Sequence, residues 1–174
     1  MDFDTINRMS ANEFVRCFGG VFEHSPWVAE HAFAARPFAD IDRLHAAMVA
    51  VVRSAPREEQ IALLNAHPDL AGREAEEGTM TDASVAEQSS AGLDALSAGE
   101  VARIAELNVR YRARHGFPFI IAVRHYTKAG IFHEFERRLH ESSDIELATA
   151  LRQVFAITRM RLERLCASRP GVEA

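Results

Sequence analysis

"FPFIIAV", residues 117–123, is the stretch on which the fold class turns. Its apolar residues are continuous enough for a buried strand. The run is short, however, is bounded by Gly116 and His125, and has no partner, because no other segment alternates apolar and polar residues with period two. No sheet is expected. Gly116 suits the left-handed position that ends a helix, and a residue before proline is pushed out of helical geometry, so Phe117, preceding Pro118, cannot prolong the helix arriving at Gly116. The run then offers an extended backbone with open N–H and C=O groups beside two phenylalanines, a combination able to stack a flat heterocycle and pair with its amide edges. The side chains of Phe117, Phe119, Ile120 and Ile121 also read simply as core.

Outside this run, helix signals recur. "SANE" (Ser10–Glu13), "SAGE" (Ser97–Glu100) and "SDIE" (Ser143–Glu146) each match a capping box, a hydroxyl at N-cap with glutamate at N3, and each opens a segment with apolar residues at helical spacing. Further helices are expected at about 40–54, 56–66, 82–95 and 128–141, with breaks at Gly19-Gly20, Pro37, Pro56, Gly72, Gly78, Gly116 to Pro118 and Gly130. Residues 72–84 form the most polar, loop-like stretch. The expected fold is all-α: one single-domain helical bundle over 1–174 with about eight or nine helices, and about 168–174 as a frayed tail.

Composition narrows the function classes. A chain of 174 residues, 48% hydrophobic and 26% charged, can bury one substantial core. Its net charge of −5 gives no electrostatic footprint for nucleic acid, and no run approaches the roughly 18 apolar residues of a membrane span. A protein handling a small molecule, without nucleic-acid or membrane partners, fits better. Cys17 and Cys166 lie far apart with no CxxC spacing, and "MDFDTINRMS" has neither a basic n-region nor an apolar h-region, so a reducing cytoplasm is expected. "HEFERRLH" is not HExxH, and no two of the eight histidines stand three or four residues apart, so no metal site is expected. GxSxG, GxxxxGK[ST] and GxGxxG are all absent.

Three further features can carry chemistry. In "NAHPDLAG", residues 65–72, Pro68 reads as the first residue of a helix and His67 as its cap or the residue before it. The positive partial charge of that helix mouth would favour a neutral imidazole able to relay a proton; a plain capping histidine is the bland alternative. In "SVAEQ", Ser84, Glu87 and Gln88 share one helix face, which either reads a ureide or amide edge or is a solvated polar strip. Ala83, Ala86 and Ala91 leave room there for a ligand. In "RMRLER", Arg159, Arg161 and Arg164 form a solvated face from which one arginine can turn inward toward an anion.

Taken together and in order, "FVRCFGGVFEHSPWVAEHA", "RPF", "LLNAHPDLAG", "SVAEQSSAGL", "LNVRYRARHGFPFIIAV" and "ITRMRL" resemble the 2-oxo-4-hydroxy-4-carboxy-5-ureidoimidazoline (OHCU) decarboxylase family, the last enzymes on the route from urate to (S)-allantoin. The resemblance implies an all-α fold of its own kind, a homodimer, and a lyase reaction that needs no cofactor. It implies His67 and Glu87 as catalytic residues and Arg161 as the arginine reaching the site. Pro68, Ser84, Gln88 and the Phe117, Phe119, Ile120 and Ile121 backbone are implied as substrate contacts. The closing "VEA" lacks the peroxisomal SKL signal, in keeping with a bacterial-type cytoplasmic enzyme. A cofactor-free hydrolase of a related ureide and a non-catalytic helical ureide-binding module remain open beside it.

Overall fold

The structure, a computed structural model, describes residues 1–72, 78–90, 92–93 and 95–167. The expected tail at 168–174 and residues 73–77 of the polar 72–84 stretch lie outside them, and the last three residues of that stretch are helical. Nine α-helices and no strand occur among the described residues: α1 (Phe3–Arg8), α2 (Ala11–Phe18), α3 (Trp27–Ala32), α4 (Ile41–Ser54), α5 (Arg57–Asn65), α6 (Asp82–Ser89), α7 (Ala98–His115), α8 (Lys128–Leu139) and α9 (Ser143–Ala167). The fold is all-α, as the isolated apolar run and the recurrent caps indicate.

Local chemistry sets most helix ends. In both the Ser10 and Ser97 capping boxes the backbone N–H of the N3 glutamate donates to the serine hydroxyl, while the serine N–H donates to that glutamate's carboxylate at 2.8 Å. The third expected box does not form. Helix α9 already includes Ser143, the Ile145 N–H donates to Ser142 Oγ at 3.4 Å, and Glu146 turns into the interior instead of capping. Helix α6 stops at Ser89 rather than near residue 95, because Ser90 Oγ donates to the Glu87 carbonyl at 2.6 Å and Gly92 follows at φ +71. Gly130, expected as a break, sits in the first turn of α8, its N–H donating to the capping Thr127 Oγ1 at 3.2 Å. Helices α1 and α3 are six residues each, too short to show a periodic stripe.

The chain forms two compact units, one comprising Met1–Leu63 and the segment from Phe155 onward, the other Leu64–Val154. Both boundaries fall inside helices, in α5 and α9. In the first unit α3 packs on α2 and α4, and Phe14 is central to an aromatic cluster with Phe18, Phe33 and Phe38 at 4.8, 5.6 and 6.1 Å. In the second unit α7 packs on α8, and α6 lies against the 3₁₀ turn Val123–His125.

Gly116 adopts φ +80 and ends α7 as expected. In the stretch after it the side chains take the core positions expected of them. Phe119 stacks on Phe135 with ring centroids 3.8 Å apart, and Phe117 packs edge-on to Tyr111 at 6.1 Å and stacks on His115 at 6.0 Å. Both rings fill the core of the second unit, and Ile120 and Ile121 are buried beside them. Burial of each such side chain is worth about 1.5–3 kcal/mol, which explains why they are drawn inward rather than left to stack a heterocycle. Only the backbone of this stretch remains for recognition.

Candidate active site

His67 lies just beyond the C-terminus of α5, not at the start of a helix: its N–H donates to the Leu64 carbonyl at 3.1 Å. Pro68 forces the residue before it out of helical geometry and so helps stop α5, rather than opening a new helix. Residues 69–72 turn sharply, with Gly72 N–H donating to the Asp69 carbonyl at 3.2 Å and Ala71 at φ +43. Gly72 is required there, since a Cβ on it would stand 2.5 Å from the Asp69 Cβ. His67 therefore does not sit at the positive mouth of a helix. The helix end it adjoins is the carbonyl end, whose partial charge is negative.

Side chains from two helices hold this turn. Gln88 of α6 accepts from the Ala71 N–H through Oε1 at 2.8 Å and donates through Nε2 to the Asp69 carbonyl at 3.5 Å and to Met80 Sδ at 3.3 Å. Its amide thus positions the turn. Asn108 of α7 donates to the Leu70 carbonyl at 3.0 Å, and one turn later Arg112 donates through Nε to Asp69 at 2.9 Å and through Nη1 to Asn65 Oδ1 at 3.1 Å. Asn65 in turn donates to the Gly116 carbonyl at 3.1 Å. The "NAHPDLAG", "SVAEQ" and "GFPFIIAV" stretches are therefore tied together within the second unit. His67, Ser84 and Glu87 are all buried, at 6%, 5% and 6% exposure, so Ser84 and Glu87 do not belong to a solvated strip.

The backbone after Pro118 is fixed on a scaffold of its own. Arg138 Nη1 donates to the Ile120 carbonyl at 2.8 Å, and the Ala122 N–H donates to Gln153 Oε1 at 2.9 Å. Among the described residues none pairs with the backbone amide groups of Phe119 or Ile121. Arg138 itself is seated on Glu146, which also accepts from the Tyr111 hydroxyl. Burial pushes the Tyr111 phenol well above its usual range, so it stays a donor. Burial also pushes His115 down, and its Nδ1 lies 3.1 Å from Ser143 Oγ.

Arg161 belongs to the first unit and turns inward. Its side chain is 6% exposed against 28% for Arg159, which pairs at the surface with Asp42 and Glu163. Arg161 Nη1 donates to Glu23 Oε2 at 2.6 Å and to the Val21 carbonyl at 3.4 Å. Nothing local in the sequence marks Glu23 as the partner of Arg161, since the two stand 138 residues apart. Asn108 carried a fainter signal, being a polar residue set in the stripe Ile104, Leu107, Tyr111. Among the described residues no group of three or more His, Cys, Asp or Glu could hold a metal ion.

Comparison with known proteins identifies the family. A sequence model of the family described as OHCU decarboxylase matches residues 7–163. The 2-oxo-4-hydroxy-4-carboxy-5-ureidoimidazoline decarboxylase of Haloferax volcanii is 46% identical over 157 residues, covering 90% of this chain and 91% of its own. A crystal structure of (S)-allantoin synthase superposes with TM-score 0.73 at 30% identity, over 95% of this chain, which spans about half (54%) of that one. A crystal structure of OHCU decarboxylase in the presence of (S)-allantoin shares the fold with TM-score 0.69 at 20% identity, over 92% of this chain and 100% of that one.

Proposed function

The chain belongs to the OHCU decarboxylase family, and from that premise we propose that it decarboxylates OHCU to (S)-allantoin, with His67 and Glu87 as the catalytic pair. It is a carboxy-lyase of urate catabolism. The observation that supports the assignment of residues is that three distant stretches are joined through Gln88, Arg112 and Asn65, and that His67, Ser84 and Glu87 on them are each buried.

The substrate supplies its own electron sink. Its carboxylate sits on the hydroxyl-bearing ring carbon, next to a ring C=N. When the bond to carbon dioxide breaks, its electron pair forms a C=C bond to the neighbouring carbon, and the C=N pair moves onto nitrogen, which takes a proton. The resulting enol loses its hydroxyl proton and gains one at the carbon bearing the ureido group, giving the carbonyl of allantoin. The protein must hold the carboxylate out of the ring plane and deliver that proton to one face. No cofactor is needed for either task. His67 hydrogen-bonds the hydroxyl and exchanges its proton, and Glu87 supplies the carboxylate that pairs with imidazole or ureido N–H groups. Ser84, Gln88 and the backbone from Phe117 to Ile121 pair with the ureide edges, and Pro68 contacts the substrate beside them. The family resemblance supports Arg161 as the cation for the substrate's carboxylate; within the first unit Glu23 holds its buried guanidinium.

The resemblance supports a homodimer, and the two free cysteines, Cys17 and Cys166, fit a reducing cytoplasm. No described helix is long and apolar enough to cross a membrane. Incubation with freshly generated OHCU, followed by optical rotation, tests the function. A decarboxylase yields (S)-allantoin faster than the spontaneous racemic decay. A ureide hydrolase consumes a different compound, and a binding module leaves the racemic decay unchanged; either result contradicts the proposal.

A further inference from the structure

Arg138 and Glu146 have no part in the reaction described above, yet both side chains are buried, at 1% and 0% exposure. Burying two charges is costly, and a pair of aliphatic side chains would fill the same volume without that cost. What aliphatic residues could not do is hold a carbonyl. Arg138 turns Nε and Nη2 to Glu146 Oε1, at 2.9 and 2.5 Å, lays its guanidinium over the Phe119 ring at 4.4 Å, and extends Nη1 to the Ile120 carbonyl at 2.8 Å. Its planar fork is thereby fixed on all sides. Two residues on, Gln153 takes the Ala122 N–H.

The Ile120 carbonyl and the Ala122 N–H form the edge held by these two side chains, while the backbone amide groups of Phe119 and Ile121 pair with none of the described residues. We propose that Arg138, seated on Glu146, and Gln153 clamp the 120/122 edge to the scaffold and thereby aim the amide groups of Phe119 and Ile121 at the substrate's ureide. Arg138 is then a positioning residue for the reaction. This inference rests on the proposed function. Its leverage is geometric, since a misplacement near 1 Å costs about 10²-fold in rate.

Arg138→Met alone strands the Glu146 carboxylate in the interior and weakens the fold, so it is uninformative. The triple variant Tyr111→Phe, Arg138→Met, Glu146→Leu removes both charges and the dependent hydroxyl at similar volume. Arg138→Lys keeps the charge on Glu146 but has no planar second arm for Ile120. Each is compared with the parent by kcat and KM for OHCU, enantiomeric excess of the allantoin formed, and amide NMR shifts on adding (S)-allantoin. The expected result for the folded triple variant is a fall of about 10²-fold in kcat/KM, a lower enantiomeric excess, and loss of the parent's allantoin-induced shifts at Phe119 and Ile121. Arg138→Lys shows the same pattern in weaker form and carries the test if the triple variant does not fold. Parent-like kinetics, stereochemistry and shifts in the folded variant overturn the clamp alone. A parent inert toward both OHCU and (S)-allantoin overturns the proposed function, and the clamp with it.

Discussion

Arg112 donates through Nε to both carboxylate oxygens of Asp69, at 2.9 and 3.2 Å, and so fastens the turn that carries His67 to helix α7. Both side chains are partly exposed, at 37% and 21%, and pairs of that kind contribute at most about 1 kcal/mol to stability. Arg112→Gln is therefore expected to lower stability by no more than about 1 kcal/mol in urea denaturation. It should nevertheless reduce kcat/KM by roughly tenfold or more, because the His67 turn loses its alignment. A loss of stability with unchanged kinetics would show that the pair is merely structural.

Arg161 and Arg159 provide an internal comparison two residues apart. Arg161→Lys should lower kcat/KM strongly, because an ammonium cannot reproduce a planar guanidinium fork on a carboxylate, whereas Arg159→Lys at the surface should change little. Steady-state kinetics on both variants decide the point. Similar small effects would remove Arg161 from the catalytic machinery.

Acid sensitivity should come first from two histidines, His45, half-buried, and His115, buried. Burial and Arg159 push His45 below its ordinary 6.5, and burial does the same to His115. Below about pH 6.5 the unfolded chain then binds protons that the folded chain does not, so stability rises with pH through that window and falls on acidification. Melting temperature between pH 7.5 and 5 should drop, and His45→Asn should flatten part of the slope. A flat profile for the parent contradicts this reading. At lower pH Glu100, held down to about 2 by Lys128 and Ser97, continues the same trend as it protonates.

Exhaustive chelation should leave turnover unchanged, since the substrate carries its own electron sink. Loss of activity with EDTA that a divalent cation restores would require a different mechanism.

Features set by neighbouring residues were legible in the sequence, and features set by distant partners were not. The boxes at Ser10 and Ser97 form because both halves of each lie within four residues. The same pattern at Ser143 fails because Glu146 is claimed by Arg138 and Tyr111, which no local rule reveals. Pro68 misleads for a related reason, since proline fits both the first turn of a helix and the residues after one, and only the packing shows which side the helix occupies. At the site, the shared face of Ser84, Glu87 and Gln88 follows from helical spacing. That Gln88 braces the 69–71 backbone does not, nor does the link from Asn108 to Leu70, 38 residues away.

The catalytic reading of His67 is tested most directly by His67→Asn, which keeps a polar side chain of similar reach and removes the imidazole that would carry the proton. The measurement is the enantiomeric excess of allantoin formed from fresh OHCU, taken together with kcat on folded protein. A proton-handling His67 predicts a fall in kcat on the order of 10²- to 10⁴-fold and product drifting toward racemic, because water can reprotonate either face. A folded His67→Asn protein with near-parent kcat and fully (S) product would contradict it.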